Sequence, residues 1–197
     1  MKRVGIFRGT FDPIHAGHVA FALQALHYAN LDEVYFLVEI GSRHKSQPEH
    51  FAHRYAMIEQ AIKQYPKLKL YKVPTKKVTA RTLLPRLNRD FLGEQLVFLM
   101  GSDVAATLPK WPDLRDLCTH NELIIGMRDG QTTKDIQAIL ERLPVQPSKY
   151  MIIDSHFPQV NSSAIRRAVR LGHPVQGLLT SARRYILLQW LYVSLSE

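Results

Sequence analysis

Short apolar runs alternate along this 197-residue chain with longer segments whose apolar residues recur at helical spacing, and no feature constrains the fold more. The runs read as strands over Arg3 to Phe7, Glu33 to Val38, Lys69 to Val73, Leu96 to Met100, Glu122 to Met127 and Tyr150 to Ile153. Most are continuously apolar, as in a parallel sheet buried on both faces. Such a sheet needs crossover helices. Val19, Leu23, Leu26 and Ala29 share one helical face after the first run, with Asn30 as a stop. Phe51, Tyr55, Ile58 and Ile62 share one after the second, with Pro66 as a stop. Further helices are expected over Thr82 to Phe91, near Trp111 to Cys118, over Thr133 to Arg142, over Ser163 to Leu171 and from Ser181 to about Tyr192. The expected fold is α/β: one domain over residues 1–197, a doubly wound Rossmann-like parallel sheet with a helical C-terminal end from about residue 155.

Composition supports one packed domain, since 46% hydrophobic and 22% charged residues exclude disordered, collagen-like and disulfide-scaffold chains. The single cysteine, Cys118, cannot form an intramolecular disulfide, a Cys-x-x-Cys pair or a Cys/His zinc cluster, so a reducing cytoplasm is the expected home. The start, MKRVGIF, runs into a strand and meets Arg8 before any apolar run of signal-peptide length, so neither targeting nor membrane anchoring is expected. The formal charge of +9 suits a polyanionic partner. Lys72, Lys76, Lys77, Arg81, Arg86 and Arg89 stand without an acidic residue among them, as do the five arginines between Ser155 and Ser196. These two stretches are where phosphate is expected, although charge runs also serve simply as solvated surface.

In doubly wound sheets ligands bind beyond the carboxyl ends of the strands, so those ends carry the functional information. Neither a GxGxxG fingerprint nor a GxxxxGK phosphate loop occurs. The first strand ends instead in Gly9-Thr10-Phe11-Asp12-Pro13-Ile14-His15-Ala16-Gly17-His18, leading into a helix. Gly9 allows close backbone approach to a ligand, Asp12-Pro13 shapes the turn, and Gly17 leaves room between two imidazoles. His15 and His18 face the same way at a helix start, where free amides favour an anion. The same residues could only cap the helix, and a histidine pair could also ligate a metal.

The decamer resembles the signature of the HxGH nucleotidyltransferase superfamily, and its Gly-Thr-Phe-Asp-Pro-Ile-His form is similar to that of the nicotinate (or nicotinamide) mononucleotide adenylyltransferases. The resemblance continues in order along the chain. Met100-Gly101-Ser102-Asp103 looks like the family's Gly-x-Asp element and Leu108-Pro109-Lys110-Trp111 like the tryptophan after it. Asn161-Ser162-Ser163-Ala164-Ile165-Arg166 is similar to its Ser-(Ser/Ala)-Thr-x-Ile-Arg motif, with Ala164 for the threonine. Arg54, the segment from Thr79 to Leu83, Tyr185-Ile186 and Leu191-Tyr192 also fall in the family's places. The resemblance implies an enzyme of NAD biosynthesis that joins nicotinate mononucleotide to the AMP moiety of ATP and releases pyrophosphate. Mg2+ would come with ATP as co-substrate, with no metal held by the protein alone.

The same residues have physical reasons for these roles. Asn161, Ser162 and Ser163 are good N-cap residues, and Arg166, one turn later, can reach the same anion. Asp103 could accept bonds from ribose hydroxyls or only cap the next helix. Trp111 offers a flat face to a pyridine ring or merely packs. Lys45, between His44 and Ser46, reads as a phosphate cation on the loop after the second strand. His18 is expected at the α-phosphate, beside His15, with Lys45 and Arg166 on the phosphates. The ATP site would comprise Gly9, Thr10, Phe11, His15, His18, Gly101, Asp103, Ser162, Ser163 and Arg166. The acceptor would meet Thr10, Lys45, Thr79 and Trp111. No role is expected for His27, His120, His156, His173 or Cys118.

The sequence departs from the family where Arg8 replaces a second glycine before Gly9, a long cation that could grip phosphate or narrow the pocket. It departs again at Ser42-Arg43-His44-Lys45 and at Val78, so another acceptor such as nicotinamide mononucleotide stays open. Phosphopantetheine-type relatives carry threonine in place of His15, which argues against that acceptor. A non-catalytic nucleotide- or nucleic-acid-binding protein is the reading from another class, but no motif of interleaved basic and aromatic residues supports nucleic acid. Small-molecule substrates are expected, with no membrane partner, and the sequence leaves a homo-oligomer open.

Overall fold

The computed structural model describes residues 1–39, 48–72, 80–112 and 114–193. Six strands form one sheet: β1 (Arg3–Gly9), β2 (Glu33–Val38), β3 (Leu68–Tyr71), β4 (Gln95–Gly101), β5 (Glu122–Gly126) and β6 (Lys149–Ile153). The order is β3-β2-β1-β4-β5-β6 with every pair parallel, the doubly wound arrangement in which the winding direction reverses between β1 and β4. The helices are α1 (Ala16–Tyr28), α2 (Phe51–Ile62), α3 (Ala80–Asp90), α4 (Ser102–Ala105), α5 (Leu114–His120), α6 (Thr133–Glu141), α7 (Ser162–Arg170) and α8 (Thr180–Leu188).

Side chains alternate across the sheet, so the continuously apolar strands feed two cores. On one face Phe7, Val34, Phe36, Val97, Leu99 and Ile124 pack with apolar residues of α1, α2 and α8. On the other, Val4, Ile6, Leu37, Leu96, Phe98, Leu123 and Ile125 pack with residues of α3, α5 and α6. Burial on both faces is why these strands lack a polar alternation.

Three details differ from the sequence expectation. β3 runs over Leu68–Tyr71, earlier and shorter than Lys69 to Val73. A four-residue helix, α4, and a 3-10 turn at Leu108–Lys110 follow β4, both too short to show a period. The last helix stops at Leu188 instead of about Tyr192, because Trp190 turns left-handed at φ 52° and the Leu191 N–H bonds to the Ile186 carbonyl at 3.1 Å. That is the Schellman closure. It also ends α1, with Asn30 at φ 49° and Leu31 bonded to Leu26 at 3.1 Å, so Asn30 stops its helix as expected. Glycine or asparagine normally holds this position, and a tryptophan there gives no stop signal.

Candidate active site

A cleft of about 670 Å³ opens over the carboxyl ends of β1 and β4, at the reversal point of the sheet. Its floor is the loop from Thr10 to His15. Three side chains, each far away in sequence, hold the carbonyls of that loop. Arg54 of α2, fully buried, donates from Nη1 to the Thr10 carbonyl at 2.6 Å and to the Glu39 carbonyl at 2.7 Å. Arg166 of α7 donates from Nη1 to the Asp12 carbonyl at 2.7 Å, and Ser162 donates to the Pro13 carbonyl at 2.9 Å. The Ser162 hydroxyl thus serves the loop, while Asn161 Oδ1 caps α7 by accepting from the Ala164 N–H at 2.8 Å. Gly9 is needed for packing inside this loop: a Cβ there would lie 2.9 Å from the Phe11 ring, which folds back over the strand end.

His15 and His18 stack with ring centroids 3.7 Å apart and an interplanar angle of 26°. Phe11 and Phe7 wall the His18 ring at 5.0 and 5.9 Å. The His18 Nδ1 accepts the His15 backbone N–H at 3.3 Å. Burial, then His15, then the charge of Arg128 push the His18 pKa well below its usual value. Burial and Arg128 push His15 down to about 3. Both imidazoles are therefore neutral at pH 7, and with Nδ1 occupied as an acceptor, the His18 proton sits on Nε2. Among the described residues neither ring nitrogen of His15 has a hydrogen-bond partner, although the residue is buried and lines the cleft. Unpaired buried nitrogens on a cleft wall fit a ligand that supplies the partner.

Arg128, two residues past the end of β5, carries no signal of its own in the sequence. Its backbone N–H bonds to the buried Ser102 Oγ at 2.9 Å, its Nη1 to the Val160 carbonyl at 3.1 Å, and its Nε stands 3.7 Å from Asp103 Oδ1. Ser102 in turn donates to Gln131. Gly101 makes this crowding feasible, because a Cβ there would lie 3.2 Å from Arg128 Nε and would collide with the Asp103 carboxylate. The rule that ligands sit at strand ends was the signal available for Arg128.

The cleft's apolar side is formed by Leu83, Leu84, Phe98 and Trp111. Trp111 donates Nε1–H to Thr107 Oγ1 at 2.9 Å, which fixes the indole plane. Arg8 lies in the wall here and pairs with Glu39, Nε to Oε1 at 2.6 Å. Lys45, Thr79, Lys76, Lys77 and Val78 lie outside the described residues. Of the basic stretches, Arg166 lines the cleft, whereas Arg86 and Arg89 pair with Asp90 on α3 at 3.4 and 3.3 Å and are not part of its lining. The structure therefore brings together Gly9, Thr10, Phe11, His15, His18, Gly101, Asp103, Trp111, Ser162, Ser163 and Arg166 around one cleft. Cys118 is buried outside it, its thiol pushed up to about 11 by burial.

A family profile described as cytidylyltransferase-like matches residues 6–168. The chain is 33% identical over 184 residues to a probable nicotinate-nucleotide adenylyltransferase of Thermomicrobium roseum, covering 89% of this chain and 84% of that one. It is 31% identical over 200 residues to a protein of the same description from Neisseria gonorrhoeae, covering 98% and 99%. Among solved structures, the nicotinic acid mononucleotide adenylyltransferase of Plasmodium falciparum complexed with NaAD superposes with a TM-score of 0.79 over 98% of both chains, at 20% identity. That likeness is one of fold.

Proposed function

The chain belongs to the nicotinate-nucleotide adenylyltransferases of the cytidylyltransferase-like family, and on that premise we infer that its cleft joins nicotinate mononucleotide to the AMP moiety of ATP. A phosphate oxygen of the mononucleotide attacks the α-phosphorus of ATP in line, the bond to the bridging oxygen breaks, and pyrophosphate leaves. No protein nucleophile is required, so positioning and fixed donors carry the catalysis. The observation that carries this reading is the neutral His15–His18 stack: with Nδ1 held by backbone, His18 has one proton to offer the cleft, from Nε2, where charge develops on the α-phosphate. A single preorganised donor of this kind is worth about 10²–10³ in turnover.

Arg128, Arg166 and Asp103 all line the cleft; in this reading the two arginines supply fixed positive charge along the triphosphate and Asp103 accepts from the ribose hydroxyls. Holding both imidazoles neutral avoids two further buried cations beside Arg128. The flat face of Trp111, with Leu83, Leu84 and Phe98, suits the pyridine ring of the acceptor. Magnesium enters as part of the ATP substrate, and among the described residues no cluster of three His, Cys, Asp or Glu side chains would hold it by protein alone. Among the described residues no helix is long and apolar enough to cross a membrane, and a lone buried thiol suits reaction in the cytoplasm. The test is pyrophosphate release from MgATP with nicotinate mononucleotide, nicotinamide mononucleotide and phosphopantetheine compared. Release with the first supports the reading, and release with phosphopantetheine alone refutes it.

A further inference from the structure

We infer that Tyr192, in the turn that closes α8, is a positioning residue for this reaction: its hydroxyl pins one oxygen of the Asp12 carboxylate and so leaves Arg166 available to the triphosphate. The inference deepens the adenylyl-transfer reading and rests on it.

Asp12 sits in the signature loop and is 6% exposed. Its Oδ1 accepts the Tyr192 O–H at 2.6 Å, across 180 residues of sequence, and the Glu49 N–H at 3.3 Å. Its Oδ2 lies 3.7 Å from Arg166 Nη1, beyond hydrogen-bond reach. Arg166 Nη1 donates instead to the Asp12 carbonyl at 2.7 Å, while Nη2 reaches Ser163 Oγ at 3.3 Å. A planar guanidinium next to a carboxylate ordinarily takes the bidentate fork. Here the fork is not formed: the oxygen needed for its second arm is already held by the Tyr192 hydroxyl and, at the longer distance of 3.3 Å, by the Glu49 N–H. Without that hydroxyl the carboxylate can rotate, take both arms of Arg166 and withdraw it from the cleft, where it is a lining residue.

The backbone shows how firmly this hydroxyl is placed. Trp190 and Tyr192 both adopt left-handed conformations, at φ 52° and 62°, and Leu191 between them is buried in the core beside Ile186. Large side chains hold such φ values only where their surroundings impose them. Burial and the Asp12 carboxylate push the Tyr192 hydroxyl above its ordinary range, so it remains a donor at any working pH.

Tyr192→Phe keeps the ring and removes the hydroxyl. In the 197-residue chain, ATP affinity by isothermal titration calorimetry and kcat/KM for ATP should each fall about tenfold or more, the loss expected when a charge-assisted contact goes. KM for the acceptor should stay within about twofold. The decisive comparison repeats the substitution in an Arg166→Ala background, where Tyr192→Phe should change ATP affinity by less than about twofold, because the group it positions is gone. Unchanged ATP affinity in the Tyr192→Phe single variant overturns the inference. So does an equal loss in both backgrounds, or a parallel loss for ATP and acceptor, either of which marks a purely structural tether. A wild-type protein that binds ATP but turns over no acceptor refutes the adenylyl-transfer reading, and the calorimetric comparison still decides the role of Tyr192.

Discussion

Acid should destabilise this protein through His15, and the size of the effect follows from the burial of that ring. His15 is 1% exposed, both ring nitrogens lack partners among the described residues, and its pKa is pushed down to about 3 by burial and by Arg128. In the unfolded chain the imidazole titrates near about 6.5. Between those two values the unfolded state binds a proton that the folded state does not, so stability falls as pH falls, and it falls below the unfolded value. The slope approaches about 1.36 kcal/mol per pH unit once the unfolded imidazole is protonated, and because that imidazole is already half protonated at pH 6.5, the change from pH 6.5 to 4.5 amounts to roughly 2 kcal/mol. His18, also pushed down, acts in the same direction. Urea unfolding of the ligand-free wild type and of His15→Gln at pH 7.0, 6.5, 5.5 and 4.5 isolates the contribution. His15→Gln changes the level of stability at every pH, but its decline between pH 6.5 and 4.5 should be shallower by roughly 2 kcal/mol, with m-values equal. Carboxylates whose pKa is lowered by hydrogen bonds, such as Glu122 and Asp135, lose stability in acid in both proteins and cancel from the difference. Parallel curves would refute the claim that His15 is held neutral, and with it the electrostatic account of the histidine stack.

Other perturbations test separate parts of the site. His18→Ala should lower kcat by about 10²–10³ in a folded protein, measured as pyrophosphate release beside a thermal melt, and near-normal turnover would remove His18 from the chemistry. Asp103→Ala should weaken ATP binding about tenfold while acceptor KM moves less than about twofold, whereas a collapsed melt would mark Asp103 as a structural partner of Arg128 alone. Trp190→Gly should stabilise the fold, since the indole is 76% exposed and its left-handed backbone is relieved. The net gain is roughly 1 kcal/mol, or about 2–4 °C in thermal midpoint, and a lower midpoint would contradict the strain assigned to that turn.

What was legible in the sequence was local. Continuous apolar runs such as Leu96 to Met100 marked buried parallel strands, and the spacing of Gly9, Asp12-Pro13, His15 and His18 marked a strand end entering a helix, although the side chains that hold this loop, Arg54, Ser162, Arg166 and Tyr192, come from far along the chain. Asn161 was legible because an N-cap acts three residues onward. Contacts made across the fold left no such trace. Arg128 matters only because β5 ends beside β4 and brings its guanidinium to Asp103 and to the histidines, and a single arginine after an apolar run has no periodic partner. Tyr192 meets Asp12 only after the whole sheet has wound, and the helical pattern of α8 continues through it in the sequence because Trp190 is not a residue that ordinarily stops a helix. Arg8, which the sequence leaves as a long cation that could grip phosphate or narrow the pocket, is paired with Glu39, a partner fixed by the adjacency of β1 and β2.

The central claim is that this cleft performs adenylyl transfer to nicotinate mononucleotide with His18 as a neutral donor to the α-phosphate. The most direct measurement is catalytic efficiency for nicotinate against nicotinamide mononucleotide with MgATP, by chromatographic detection of the dinucleotide and of pyrophosphate, for the wild type and His18→Ala across pH 5.5 to 8. The account predicts equimolar dinucleotide and pyrophosphate, an efficiency at least about tenfold higher for the nicotinate form, since a matched carboxylate gains about 1.5–3 kcal/mol per hydrogen bond, and a uniform loss in His18→Ala. Preference for the amide, pyrophosphate without dinucleotide, or full activity in His18→Ala would contradict it.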